Sequence, residues 1–412
     1  MAATTKMKVG WADVAFAGTR TSLLAGPLDH KGEDYAKAAL RAVAERGPSA
    51  RVGLIPSSTT NKWEFRPDEF ARIATIDPLP VPEMLRKYEQ ITAEASVGNH
   101  PLVLVFCGDY VMFSADHGFG DATACLEVVA LASGSDVDGY LESNDDLPLK
   151  KAVNAVVSKS PSTALKALRG QPVSPPEDVP HLRTYPKADV RDIVMSFVRT
   201  EPGTFNTLRK LRKESFPEVS MSAAVSYLIR RAFADHGVEL TDDLGVLVDL
   251  RRFLPEGTVT LANLPGIAEV TAPVSSTLEE YGKAYNAAVS TPAPLLRLAA
   301  SLLKKRILPS GQSGTESADY PDRARTIFSD PSLHPTMKKI RWSDRGDGCM
   351  YILINDPGVP HQIPITTMWD AQGRLNITAS YYSASFDRAV IDSILDDVAA
   401  QPLRYLESAA VS

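Results

Sequence analysis

The chain has 412 residues, 44% of them hydrophobic, and 44 Lys and Arg against 50 Asp and Glu give a formal net charge of −6. That supplies a large core, expected as two domains, while the acid excess without a basic stripe argues against a nucleic-acid partner. No run approaches the roughly 20 apolar residues that span a bilayer.

Met1 to Lys8 lacks the basic-then-apolar pattern of a secretory leader, and Cys107, Cys125 and Cys349 sit unclustered in apolar or plain surroundings. Both features predict a reduced, cytoplasmic protein with neither disulfides nor a zinc site. Lys8 to Phe16 alternates and reads as a strand, and Asp34 to Ala44 as an amphipathic helix stopped at Gly47-Pro48. Arg51 to Ile55 reads as another strand and Pro82 to Ala95 as a helix. Leu102 to Cys107 and Tyr110 to Phe113 are strands joined by the tight turn Gly108-Asp109.

The next stretch, Ser114-Ala115-Asp116-His117-Gly118-Phe119-Gly120-Asp121-Ala122, interrupts two periodic segments with residues that packing does not need. A helix ended by Gly134 follows it. A histidine and a carboxylate four residues apart therefore lie in a glycine-loosened strand-to-helix loop. Asp121 could cap that helix, and His117 could be an ordinary loop residue.

Gly170 to Pro186 holds five prolines in seventeen residues and reads as an extended linker. It sets the expected organisation as an N-terminal unit 1–172, a linker 173–188 and a C-terminal unit 189–412. In the second unit Asp192 to Arg199 is strand-like, Met221 to Ala234 is a buried helix, and Leu244 to Pro255 is an apolar strand ending in charge. Leu295 to Leu308 reads as a helix with cations near its end, either complementing the helix dipole or offering a surface to an acidic carrier protein or lipidic substrate. Gly311 to Tyr320 reads as a loop. Gly348 to Asn355, His361 to Met368 and Leu375 to Tyr382 read as strands, and Asp387 to Ala399 as the closing helix.

H-x-x-x-D at His117 and Asp121, the stretch Asp249-Leu250-Arg251-Arg252-Phe253-Leu254-Pro255 and the closing strand and helix together resemble the chloramphenicol acetyltransferase-like superfamily. That group includes condensation domains, wax ester synthases and polyketide-associated acyltransferases, and the resemblance runs over nearly the whole chain. It departs from the usual H-H-x-x-x-D-G at two positions, with Asp116 for the first histidine and Ala122 for the glycine, which asks more of the backbone there.

The resemblance implies an α+β fold of two similar sub-domains set as a V, with an active-site tunnel at their junction. His117 would be the general base that takes the proton of an acceptor hydroxyl or amine as it attacks a thioester, a role worth ~10²–10⁴-fold. The donor would be an acyl-CoA or a phosphopantetheinyl carrier protein, with a small-molecule acceptor, no permanently bound cofactor or metal, and a monomer able to work alone. The pathway would be biosynthetic, of the natural-product kind. Asp121 would support the site structurally by pairing with Arg251, the alternatives being the helix cap and a triad-like orientation of His117. Gly118, Phe119 and Gly120 are candidate oxyanion-donor positions. Asp116, Ser329, Thr378 and Ser380 are candidate tunnel-lining groups. The competing reading is a condensation-like chain that has lost catalysis and acts as a scaffold or recruitment protein.

Overall fold

A computed structural model describes residues 5–97, 100–159, 161–162, 181–186, 189–307, 317–343 and 350–406. Its strands are β1 Thr5–Lys8, β2 Arg20–Gly26, β3 Leu54–Ile55, β4 Lys62–Phe65, β5 Arg72–Ile76, β6 Leu102–Cys107, β7 Tyr110–Asp116 and β8 Leu182–Pro186. They continue with β9 Ile193–Arg199, β10 Asp243–Asp249, β11 Pro265–Thr271, β12 Ser317–Pro321, β13 Arg325–Ser329, β14 Met350–Asn355, β15 Gln362–Trp369 and β16 Leu375–Tyr382. The helices are α1 Trp11–Phe16, α2 Glu33–Glu45, α3 Val81–Val97, α4 Ala122–Ala132, α5 Pro148–Lys159, α6 Thr204–Ser215, α7 Met221–Asp235, α8 Leu278–Ser290, α9 Ala293–Ile307 and α10 Arg388–Ala400.

Five strands in the order β14-β2-β7-β6-β5 form the first large sheet. Both of its faces are covered, which is why β6 reads as an unbroken apolar run. Leu102, Leu104 and Phe106 pack with α2 and α4, whereas Val103, Val105 and Cys107 pack with Met84, Tyr88 and Ile91 of α3 and with Met195 of β9. The hairpin of β6 and β7 turns on Gly108, at φ +56. The sheet is completed by β14, drawn from the second half of the sequence and antiparallel to β2.

The second large sheet runs β11-β10-β13-β15-β16-β9. Leu375, Ile377, Ala379 and Tyr381 of β16 join a core with α7, α8 and α10. The alternate residues Asn376, Thr378, Ser380 and Tyr382 lie on the opposite face, where Ser380 Oγ accepts from the Asn355 N–H of β14 at 3.3 Å. The two large sheets meet through β9, whose Met195 enters the core of the first sheet, and through β14, whose Asn355 bonds Ser380 of β16.

Five expected elements are corrected. The stretch Lys8 to Phe16 ends a strand at Lys8 and then forms α1, because Asp13 turns back to accept from the Gly10 N–H at 3.1 Å and closes the helix start. Arg51 lies outside any strand, at φ +67, and only Leu54 and Ile55 pair. The run Leu244 to Pro255 leaves the sheet at Asp249, whose side chain caps a 3-10 turn over Leu250–Phe253. Leu182–Pro186, expected as linker, pairs antiparallel with Ser317–Pro321, whose first four residues were expected as loop. Prolines stand only at the last position of each strand, so the ladder between them is intact, and the Tyr185 and Tyr320 rings pack edge to face at 6.2 Å. The remainder of the linker call (residues 173–180, 187 and 188), most of the loop call and Cys349 lie outside the described residues. Cys107 and Cys125 are free buried thiols, and burial pushes the Cys125 thiol up. No helix among the described residues is long and apolar enough to cross a membrane.

Candidate active site

Strand β7 ends at Asp116, and His117–Phe119 form one turn of 3-10 helix before α4. Asp116 clamps that turn: Oδ1 accepts from the Gly118 N–H at 2.7 Å and Oδ2 from the Gly18 N–H at 3.0 Å. Burial pushes the Asp116 carboxyl up, against the pull of those two N–H groups and of the Arg20 charge. The His117 N–H donates to Thr19 O at 2.8 Å, and the half-buried His117 ring stacks on Phe16, centroids 4.6 Å apart and planes 18° from parallel. Its Nδ1 is buried without a hydrogen-bond partner.

The carbonyls of the turn are pinned from below by residues that sequence reasoning missed. Arg51, fully buried, donates from Nη2 to Gly118 O at 2.9 Å and to Asp13 Oδ1 at 2.8 Å, and from Nε to Phe119 O. Asn263 donates from Nδ2 to His117 O at 2.8 Å and to Asp13 Oδ1 at 3.0 Å, while its backbone N–H also reaches Asp13 at 2.9 Å. Burial pushes the Asp13 carboxyl up against the Arg51 charge and these N–H donors. Two segments far apart in sequence, joined through Asp13, thus hold the carbonyls of residues 117, 118 and 119. No local pattern marks them; the one signal was the pairing of Gly10 with Asp13, which reads as a helix start rather than an alternating strand.

Asp121 serves as helix cap and ion-pair partner together. Oδ1 accepts from the Thr123 N–H and from Arg251 Nη2, both at 3.0 Å, while Oδ2 accepts from Arg251 Nη1 at 2.8 Å and from the Leu264 N–H at 3.0 Å. Arg251 also donates to Thr260 O at 3.1 Å and Ala262 O at 3.0 Å. These bonds occupy both oxygens of Asp121, and none goes to His117 among the described residues, so the triad-like orientation is not what the geometry contains. Burial raises the Asp121 carboxyl, but the Arg251 charge and the four N–H donors outweigh it and hold the group below its ordinary range.

The two glycines are required by close approach rather than by turn conformation. A Cβ on Gly118 would lie 2.9 Å from Trp63 and 3.0 Å from the Ala17 methyl, and one on Gly120 would lie 2.4 Å from the Ala124 methyl and 2.9 Å from Leu261 O. Gly120→Ala is expected to destabilise the fold by about 1–3 kcal/mol through overpacking, read as a lower midpoint in urea at unchanged slope. Ala122 is the first residue of α4, and Arg51 is the one described non-glycine residue with positive φ, so alanine at 122 strains nothing. The Gly118 N–H is taken by Asp116 and the Gly120 N–H by His117 O at 3.3 Å, and Phe119 lies inside the same turn. Gly118 and Gly120 are corrected accordingly: neither presents a free donor for an oxyanion.

Ser329, Thr366 and Thr378 lie in register across β13, β15 and β16, a row of hydroxyls on one sheet face. Thr366, missed from the sequence, is the middle member and accepts from Asn355 Nδ2 at 3.4 Å. Ser380, two residues along, holds Asn355 instead. Among the described residues no hydrogen bond joins this row to the His117 turn, and no cluster of metal-ligating side chains occurs.

No family model and no curated protein matches the chain. Solved structures do. TRI3 trichothecene 15-O-acetyltransferase from Fusarium sporotrichioides is 13% identical, with 95% of this chain and 93% of that one covered at a TM-score of 0.55. TRI101 from the same organism, complexed with coenzyme A and T-2, is 12% identical over 96% and 97% at 0.55. The epimerization domain from the third module of tyrocidine synthetase B is 11% identical over 99% and 98% at 0.57. The chain shares the fold of these solved structures. Within this fold the His117 turn stands at the end of β7, and the pair of Asp121 with Arg251 ties it to the C-terminal half of the chain.

Proposed function

We propose that the protein is an acyltransferase or free-standing condensation enzyme in a biosynthetic, natural-product pathway. It moves an acyl group from a pantetheine thioester to a hydroxyl or amine acceptor, with His117 as general base. The observation that carries the reading is the His117 turn itself, whose three carbonyls, His117, Gly118 and Gly120 N–H groups and flanking carboxylate are held while the imidazole stays half-exposed. That is preorganisation of one side chain at a strand end.

In this reading the acceptor hydroxyl or amine gives its proton to Nε2, the ring nitrogen opposite the buried Nδ1, as its oxygen or nitrogen bonds to the thioester carbonyl carbon. The tetrahedral oxyanion then collapses, the carbon–sulfur bond breaks, and the imidazolium returns the proton to the departing thiolate. A tunnel hydroxyl, Thr378 or Ser329, is the remaining donor type for the oxyanion. The donor is coenzyme A, which one solved structure of this fold contains, or a carrier protein. The donor and the small acceptor meet at the junction of units 1–172 and 189–412, in a chain that works as a monomer without a bound cofactor.

The scaffold reading draws on the unpartnered Nδ1, since a working imidazole is ordinarily held through its second nitrogen. One experiment separates the two. Thiol release from a panel of acyl thioesters with pooled hydroxyl and amine acceptors is expected in wild type and should fall ~10²-fold or more in folded His117→Ala. An unchanged rate in the variant removes His117 as base, and silence of wild type across the panel supports the scaffold.

A further inference from the structure

At the far end of the first sheet from His117, about 20 Å away by the length of β7, the start of α2 and the β6–β7 turn border a solvent-open cavity of about 540 Å³. His30, Thr75, Asp77, Pro78 and Phe106 line it. Its polar side chains all face the same chemical way. Nδ1 of His30 accepts from the Gly32 N–H at 3.1 Å, so Nε2 carries the hydrogen and donates to Gly108 O at 2.7 Å. The ring therefore has no donor left for a ligand and offers only its face, tilted 4.9 Å from the Phe106 ring. Thr75 gives its hydroxyl hydrogen to Glu33 at 2.6 Å, which leaves the oxygen lone pairs of Thr75 as acceptors. Asp77 is exposed, and its carboxylate makes no ion pair among the described residues.

The cavity therefore combines an aromatic floor, an apolar wall, a hydroxyl acceptor and an unpaired carboxylate, with no free donor among these side chains. We propose that this cavity binds a small organic cation, a primary ammonium carrying a compact aromatic or aliphatic body. Such a group places its charge against Asp77, donates to Thr75, and lays its carbon skeleton on the ring faces, where a cation is also favoured. The volume falls within the range of small-molecule sites. The cavity is separate from the His117 turn, and the proposal does not depend on acyl transfer.

Calorimetric titration of the full chain with phenethylammonium chloride tests this, with 2-phenylethanol and 3-phenylpropionate as neutral and anionic controls of similar shape. Saturable 1:1 binding of the ammonium, about tenfold or more tighter than either control, is expected. Asp77→Asn should weaken the ammonium by about tenfold, and higher salt should weaken it in wild type. His117→Ala should leave the affinity unchanged. Absence of saturable binding, equal affinity for the alcohol, indifference to Asp77→Asn, or loss of binding in His117→Ala would each overturn the assignment. Asp77 is exposed, so the variant is expected to keep its fold, which circular dichroism checks.

Discussion

Arg251→Ala is expected to lower the free energy of unfolding by about 3–5 kcal/mol at pH 7, because it strands a buried carboxylate that loses both arms of a bidentate partner. Asp121 retains only the Thr123 and Leu264 N–H groups in that variant. The loss should carry a pH signature. In the folded chain the Asp121 carboxyl is held below the ordinary value of 3.8, with burial opposing and Arg251 and the N–H donors prevailing. A depressed carboxylate contributes stability that is present above the unfolded value and is lost as pH falls through the folded one. Urea unfolding of wild type and Arg251→Ala should thus differ fully at neutral pH, and the two curves should converge below about pH 4. A gap that persists undiminished to low pH would assign the effect to lost packing of the guanidinium stem.

Arg51→Met is expected to destabilise by a similar amount, about 3–5 kcal/mol, since Asp13 becomes a buried charge without a cation, Phe119 O loses its side-chain donor and Gly118 O keeps only Asn263 at 3.4 Å. The pair can be tested as a unit. Asp13→Leu combined with Arg51→Met removes both charges and should be less destabilising than Arg51→Met alone, a non-additivity that unfolding of the two singles and the double resolves. Arg51→Lys is expected to restore little, because a point ammonium cannot bridge Asp13, Gly118 O and Phe119 O as a planar fork does. If thiol release is established, all these variants should lose rate beyond their loss of folded protein, because the His117 turn is held through these bonds.

The elements that were legible in the sequence are those whose own residues decide them. The β6–β7 hairpin follows from two apolar runs around Gly108-Asp109, and α2, α4, α7 and α10 follow from apolar spacing and end residues. The partnership of Asp121 with Arg251 was also legible, through the resemblance rather than through spacing. What was not legible depends on partners distant in the chain. Arg51 reads as the first residue of a strand until Asp13 and Phe119 are placed around it. Asn263 shows no pattern at all, and its role arises from lying 146 residues from the carbonyl that it binds. Thr366 belongs to a row only because strand register sets it between Ser329 and Thr378. The β8–β12 ribbon was hidden by neighbouring prolines, although the residues that pair are nearly free of them.

The insertion of β14 beside β2 has a consequence for synthesis. While a ribosome makes this chain, the last of β2, β5, β6 and β7 is complete at Asp116, roughly 230 residues before β14 begins at Met350, a delay of about ten to fifty seconds at ordinary elongation rates. Throughout that interval strand β2, buried along its whole length in the finished fold, is an open edge, able to pair with another nascent chain. The first half is thus born incomplete, and a version of the gene cut near the middle should yield a product that chaperones retain, whereas supplying residues 350–355 in trans should cap the edge and return it to solution.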